Sequence, residues 1–151
     1  MFSKITVFAV TSMLLAGCAG RGDYQTYYHA EQGDYDAALS AAKATQSSRI
    51  NGLLFGSVAS QCLDYSAVVT VQVARGDFAG ATDACRAYDD QCAVVPNSNL
   101  CFYYSLSELS AAGSDQDLAG KLRDEAKEML HFRWLMLRDD YEGRQLKRPI
   151  Y

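Results

Sequence analysis

Five cysteines are the residues of this sequence with the widest range of possible chemistry. A cysteine can accept a lipid, form a disulfide, bind a metal or act as a nucleophile, and its compartment decides among these. Cys18 lies near the start of the chain, whereas Cys62, Cys85, Cys92 and Cys101 lie in its middle part. The segment before Cys18 therefore decides how all five are interpreted.

The first 17 residues have the composition of a secretory signal. A charged start, MFSK, is followed by the apolar run ITVFAVTSMLLA and then by small residues up to Cys18. This run is shorter than the roughly 20 apolar residues that a membrane-spanning helix needs. We expect the segment to be removed, either directly before Cys18 or at a conventional site after Ala16 or Ala19.

The tetrad Leu15-Ala16-Gly17-Cys18 resembles the lipobox of bacterial lipoproteins. The resemblance implies that residues 1–17 are the signal peptide, that Cys18 carries lipid, and that this lipid holds the chain on a membrane. Asp after the lipidated cysteine tends to retain such proteins in the inner membrane, but here the residue is Ala19. By resemblance, we expect an outer-membrane protein that faces the periplasm, although display on the opposite face stays open.

Length and charge suit one acidic domain. Removing 17 of the 151 residues leaves 134, with 13 Lys and Arg against 18 Asp and Glu. This balance disfavours nucleic-acid binding. We place a lipidated tether at 18–23, the domain at 24–142 and a basic tail at 143–151. The tail contains Arg144, Lys147 and Arg148, and it is either solvated or a docking peptide for a partner or for lipid headgroups.

Two similar stretches predict helical hairpins. AEQGDYDAALSAAKA at 30–44 and VARGDFAGATDACRA at 73–87 share the pattern Gly-Asp-aromatic-x-x-Ala. Glycine can end one helix, Asp can cap the next, and the small Ala permits close packing. The pattern is similar to the middle of a tetratricopeptide repeat, although the two copies are 43 residues apart and that family repeats every 34. Unrelated hairpins with the same turn chemistry are the alternative.

The other segments complete an all-α prediction. AVVTVQV at 67–73 is rich in β-branched residues, but the chain has no second strong strand to pair with it, and we favour a helix. We predict a further helix over LCFYYSLSELSAAG at 100–113 and a last helix from about 114 to 141. The expected fold is a set of antiparallel helical hairpins joined by two disulfides.

Helix geometry predicts the disulfide pairing. Around the turn near Asp77, facing residues have numbers that sum to about 154, as those of Cys62 and Cys92 do. Around the next turn the sum is about 186 to 192, which fits Cys85 and Cys101. Cys85 and Cys92 are about 10.5 Å apart along one helix, too far for a bridge. We predict Cys62–Cys92 and Cys85–Cys101, with free buried thiols as the alternative.

The sequence contains no pattern typical of a known catalytic or metal site. It has no Gly-x-Ser-x-Gly, phosphate-binding glycine loop, His-Glu-x-x-His or Cys-x-x-Cys. His29 and His131 are far apart in the chain, and His131 is either a general base or, as we favour, a satisfied helix residue. We predict neither an enzyme nor a bound metal or cofactor.

Aromatic residues are the remaining candidates for recognition. Tyr24, Tyr27 and Tyr28 follow Cys18 closely and can pack in the domain, lie at the membrane or contact a partner. In the last helix, Trp134 lies within a second apolar set that extends the main stripe. That set contains Phe132, Leu135 and Met136, and we favour a longer core contact for it, with an exposed patch for a partner as the alternative.

Three functions from different classes follow. The first, which we favour, is a non-enzymatic adaptor or assembly factor for an envelope machine, with an envelope protein as its partner. The second is an immunity or inhibitor lipoprotein that neutralises a toxin or hydrolase, toward which an acidic surface would steer it. The third is an envelope hydrolase, which requires a cluster of acid and base side chains in a pocket.

Overall fold

The computed structural model of the protein describes residues 21–51, 58–92, 100–101 and 103–146, and the side chains of 24–45, 65–90, 101 and 103–139. In this part of the chain the fold is all-α and consists of antiparallel helical hairpins, which confirms the predicted class. The elements are α1 (Arg21–Glu31), α2 (Tyr35–Asn51), α3 (Val58–Arg75), α4 (Phe78–Cys92), β1 (Leu100–Cys101), β2 (Tyr104–Ser105), α5 (Leu106–Ala112) and α6 (Gln116–Leu146).

Both predicted hairpin corners have the same backbone geometry. Gly33 and Gly76 adopt φ values of 76° and 84°, a conformation that side chains with a Cβ rarely tolerate. At each corner the amide after the glycine donates to the carbonyl five residues back, which closes a Schellman motif. The Asp34 and Asp77 side chains then cap α2 and α4 by accepting from amides three residues later, at 3.0 and 2.9 Å.

The β-branched segment is helical, as we favoured. Val68, Val69, Val71 and Val73 are all buried, so α3 is covered on every side rather than along one stripe. It packs against α2, α4 and α6, and Ala81 of α4 is fully buried in the same core. A helix that is apolar around its circumference is stable only inside a domain. The central position of α3 therefore overrides the strand preference of its valines.

The long helix α6 lies across α1 and α3 and closes the bundle. Its inner face presents Leu122, Ala126 and Leu130 to the core, which matches the predicted main stripe. It begins two residues after the predicted position and continues to Leu146, so residues 143–146, which we assigned to the basic tail, are helical. Likewise α1 begins at Arg21, within the predicted tether. No helix in the described ranges combines the length and the apolar character that crossing a bilayer requires.

The prediction of one helix over 100–113 is wrong for its first half. Leu100 and Cys101 pair with Ser105 and Tyr104 in a short antiparallel hairpin. The helix α5 starts only at Leu106, because Ser105 and Glu108 form a capping box that fixes its first residue. Hydrogen bonds from the Ser105 hydroxyl and backbone N–H also lower the pKa of the Glu108 carboxyl.

One predicted disulfide lies among the described side chains. The Cys85 and Cys101 sulfurs are bonded at 2.11 Å, which ties α4 to β1. The pairing agrees with the prediction even though Cys101 lies in a strand and not in a helix. Both side chains are buried and belong to the same core cluster as Leu109. Cys62 and Cys92 fall in α3 and α4, but their side chains are outside the described set, so their bridge stays a prediction.

Two glycine substitutions should have opposite effects on stability. A Cβ at Gly80 would lie 2.5 Å from an Asp77 carboxylate oxygen and from the Gln72 amide nitrogen, whereas a Cβ at Gly120 would meet no atom within 4 Å. Both contacted atoms are ends of side chains that can move, but Asp77 would then lose its hydrogen bond from the Gly80 N–H, so we expect Gly80→Ala to lower the free energy of unfolding by about 1 kcal/mol. Gly120→Ala, inside α6, should raise it by about 0.5 to 1 kcal/mol. Urea unfolding of both variants checks this, and equal effects would contradict it.

Removal of the observed bridge should destabilise the fold measurably. The bonded cysteines are 16 residues apart, and a loop of this length corresponds to about 3 kcal/mol of stabilisation. We expect the double variant Cys85→Ala, Cys101→Ala to lose about that amount in urea unfolding. Reductant then tests the other pair, because it lowers the stability of the double variant further only if Cys62 and Cys92 are bonded.

Candidate interaction surface

An aromatic cluster joins the start of α1 to the later half of α6. The ring centroid of Trp134 lies 5.2 Å from that of Tyr24 and 5.7 Å from that of Tyr28, and the two tyrosine rings are stacked at 6.0 Å. Such tilted and offset pairs stabilise packing beyond the area they bury. Three of the aromatic residues proposed from the sequence therefore meet in space, although more than 100 positions separate Tyr28 from Trp134.

These aromatic residues differ in how much surface they leave for a partner. Trp134 is 9% exposed, so its ring is used almost entirely in packing within the chain. Tyr28 remains 39% exposed at the edge of the cluster. Tyr27 packs against the core and lines a cavity of about 20 Å³ with Thr70, Met129 and other residues, which has room for about one water molecule. Of the three tyrosines, Tyr28 offers the most to a partner.

The opposite side of α6 carries an apolar stripe, defined here as Phe132, Leu135 and Met136. These side chains are 62%, 38% and 58% exposed. Residues that are three and four positions apart share one face of a helix, so the three form a continuous strip about one turn long. From the sequence we favoured a core position for these three residues over an exposed patch, and that interpretation is wrong. The structure places them on the surface. Phe132 and Met136 are about 160° around the helix from Trp134.

A hydrogen-bonded pair of side chains accompanies the aromatic cluster. The Nδ1 atom of His131 lies 2.8 Å from a carboxylate oxygen of Glu31, across the contact between α6 and α1. His131 is thus a satisfied helix residue, as we favoured, on an exposed part of α6. Within the described residues, no group of three or more His, Cys, Asp and Glu side chains could hold a metal ion.

Several residues selected from the sequence cannot be placed in this geometry. Cys18, Lys147 and Arg148 lie outside the described residues. Arg144 falls within α6, but its side chain is not among those described. The role of these positions in lipid attachment or partner binding stays a prediction.

The exposure of the stripe was the feature hardest to predict from the sequence. The segment from Leu130 to Leu137 is apolar on several faces, so periodicity could not choose which face is buried. The signal that was available is local: Glu128 and Asp139, exposed acids, fall on the same face as Phe132 and Met136, which is typical of a solvated face.

Comparison of the chain with protein-family models, with curated protein sequences and with solved structures finds no match.

The two faces of α6 predict opposite sensitivities to substitution. Trp134→Ala removes a buried ring that joins α6 to α1, and we expect it to cost about 3 to 5 kcal/mol of stability. Phe132→Ser removes an exposed ring and should change stability by less than about 0.5 kcal/mol. Thermal or urea unfolding measures both. A large loss for Phe132→Ser would show that the stripe is part of the core.

Proposed function

We propose that this protein is a lipid-anchored adaptor or assembly factor on the periplasmic side of the bacterial outer membrane, without enzymatic activity of its own. The observation that carries the proposal is the apolar stripe on α6. These three side chains are not among the residues that form the buried core of the domain. A contiguous exposed apolar patch of this kind is typical of a surface that binds a protein.

The position of the anchor supports this role. Cys18 precedes the first residue of α1 by three positions, a distance of at most about 11 Å along the chain. Tyr24 and Tyr28 contact Trp134 while Glu31 contacts His131, so α1 runs antiparallel to α6 and its start points toward the later half of α6. A lipid on Cys18 would therefore hold the half of α6 that carries the stripe close to the membrane, where envelope machines are assembled.

The disulfide is consistent with the proposed compartment. Cys85 and Cys101 are bonded and buried, and structural bridges of this kind persist in oxidising compartments such as the bacterial periplasm. The His131–Glu31 pair and the cavity beside Tyr27 do not resemble a reaction centre, since the first is an exposed contact between helices and the second is too small for an organic substrate. These features support a binding role over an envelope hydrolase.

The anchor is tested by mass spectrometry of the N-terminal peptide from membrane-extracted protein. We expect the mature chain to begin at Cys18 and to carry the mass of acyl chains, because the lipobox resemblance implies both. The variant Cys18→Ser should lack this mass. A mature chain that begins after Ala16 or Ala19 and carries no lipid would contradict the anchor and leave a protein free in the periplasm.

The adaptor role is tested by cross-linking in intact cells followed by purification of the full chain. We expect wild-type protein to recover one or more defined envelope proteins, and the double variant Phe132→Ser, Met136→Ser to lose them at equal expression. Tyr103→Ser is the matched control, because Tyr103 is 59% exposed but lies in the β-hairpin and not on α6. Equal recovery by the stripe variant would count against the proposal, and toxin sensitivity on deletion would favour the inhibitor.

A further inference from the structure

Carboxylate side chains flank the apolar stripe at both ends. Glu128 lies four residues before Phe132, and Asp139 lies three residues after Met136, so all four side chains share the exposed face of α6. Asp139 is 74% exposed and lies beside Arg138, with an oxygen 3.0 Å from its guanidinium. At 1.5 Å per residue, the two bounding carboxylates are about 16 Å apart along the helix. The surface is therefore apolar in the middle and acidic at its ends.

The cations next to the two acids in sequence, Lys127 and Arg138, are about 100° around the helix from that face, and Arg138 is paired with Asp139. Arg133 lines the cavity with Tyr27 and Met129, on the side of α6 that turns toward the core. His131 is paired with Glu31 of α1. The face continues toward the start of α6 with Glu125, whose carboxylate lies 3.8 Å from Lys121.

A second copy of this chain is a poor occupant for this surface. Two α6 helices paired antiparallel around position 134 would bring Glu128 of each copy close to Asp139 of the other. A parallel pair would bring each acid opposite the same acid of the other copy. Like charges in facing positions are destabilising, and they act against the burial of three apolar side chains.

A lipid surface is also disfavoured, for the same electrostatic reason. Anionic headgroups give bilayers a negative surface potential, which attracts basic helices and repels acidic ones. Amphipathic helices that lie on membranes place Lys and Arg beside their apolar face. Here the residues at both ends of the stripe are acids, in a chain with a net charge of −4.

We infer that the stripe binds an amphipathic helix of another protein, one with a short apolar strip that is flanked by Lys or Arg on both sides. The inference rests on the proposed adaptor function and specifies its partner. A helix alongside α6 would match the bounding carboxylates with cations about 11 residues apart, with apolar residues at i, i+3 and i+4 between them. The stripe is a convex ridge, and ridges of this shape pack into the grooves of a second helix at 8 to 10 Å.

The inference is tested with designed peptides and the full mature chain in nanodiscs of neutral phosphatidylcholine. The probe is a labelled, stapled alanine-based helix with Leu at i, i+3 and i+4 and Lys at i−4 and i+7. One control peptide has Glu in place of both Lys, and another has Ser in place of the three Leu. Fluorescence anisotropy should show the Lys helix binding at least about tenfold more tightly than either control, with an affinity that falls as salt is added.

Variants of the protein separate the two parts of the interaction. Phe132→Ser with Met136→Ser should abolish binding of the Lys helix. Glu128→Lys with Asp139→Lys should reverse the preference, so that the Glu helix binds more tightly. Equal affinity for the Lys and Glu helices, or binding that survives loss of the stripe, would overturn the inference.

Two further outcomes would overturn it in favour of another occupant. Stripe-dependent binding to anionic vesicles would identify a membrane surface, and stripe-dependent dimers in sedimentation would identify a second copy of the chain. The result also separates the inference from the function on which it rests. If no peptide binds but cross-linking in cells still needs Phe132 and Met136, the partner chemistry is wrong and the adaptor stands. If the peptides discriminate as expected but cross-linking does not need the stripe, the surface chemistry is supported and the adaptor fails.

Discussion

The structure depends on the burial of α3. Its valines leave almost no surface exposed in any direction, and a helix of this kind must be covered on all sides before it is stable in water. The neighbours α2 and α4 cover two sides, and α4 is brought there by the tight turn at 76–77, which folds the chain back on itself. Among the described helices, α6 packs on a further side of α3, although it is far along the chain.

The same requirement explains how one helix comes to have a structural face and an unoccupied face. The inner face of α6 is held by α3 and, through Trp134, by the aromatic residues of α1. Once these contacts are made, the opposite face of the later half cannot reach the core. Phe132, Leu135 and Met136 therefore keep a large part of their apolar surface in contact with water. The unfavourable free energy of exposing this apolar surface to water is removed if another molecule covers it.

Local chemistry accounts for the elements that were predicted well. Each hairpin corner is determined by a glycine that adopts positive φ and by the Asp after it, and both effects act within six residues. The capping box at Ser105 and Glu108 is equally local, and the sequence SLSE contains it, so the late start of α5 was available to sequence analysis. The short strands β1 and β2 could not be predicted in this way, because a two-residue ladder beside a disulfide has no periodicity to detect.

By itself, the sequence determined the all-α class, the two hairpin corners, the pairing of Cys85 with Cys101 and the helical state of the valine segment. These follow from turn chemistry, from spacing and from the absence of a partner strand. Only the tertiary structure decided which face of α6 is buried. Apolar residues occupy several faces between Leu130 and Leu137, so the sequence pattern does not show which face is buried. Tyr24 and Tyr28, more than a hundred residues earlier, pack against Trp134 and bury it, whereas Phe132 and Met136 remain on the surface.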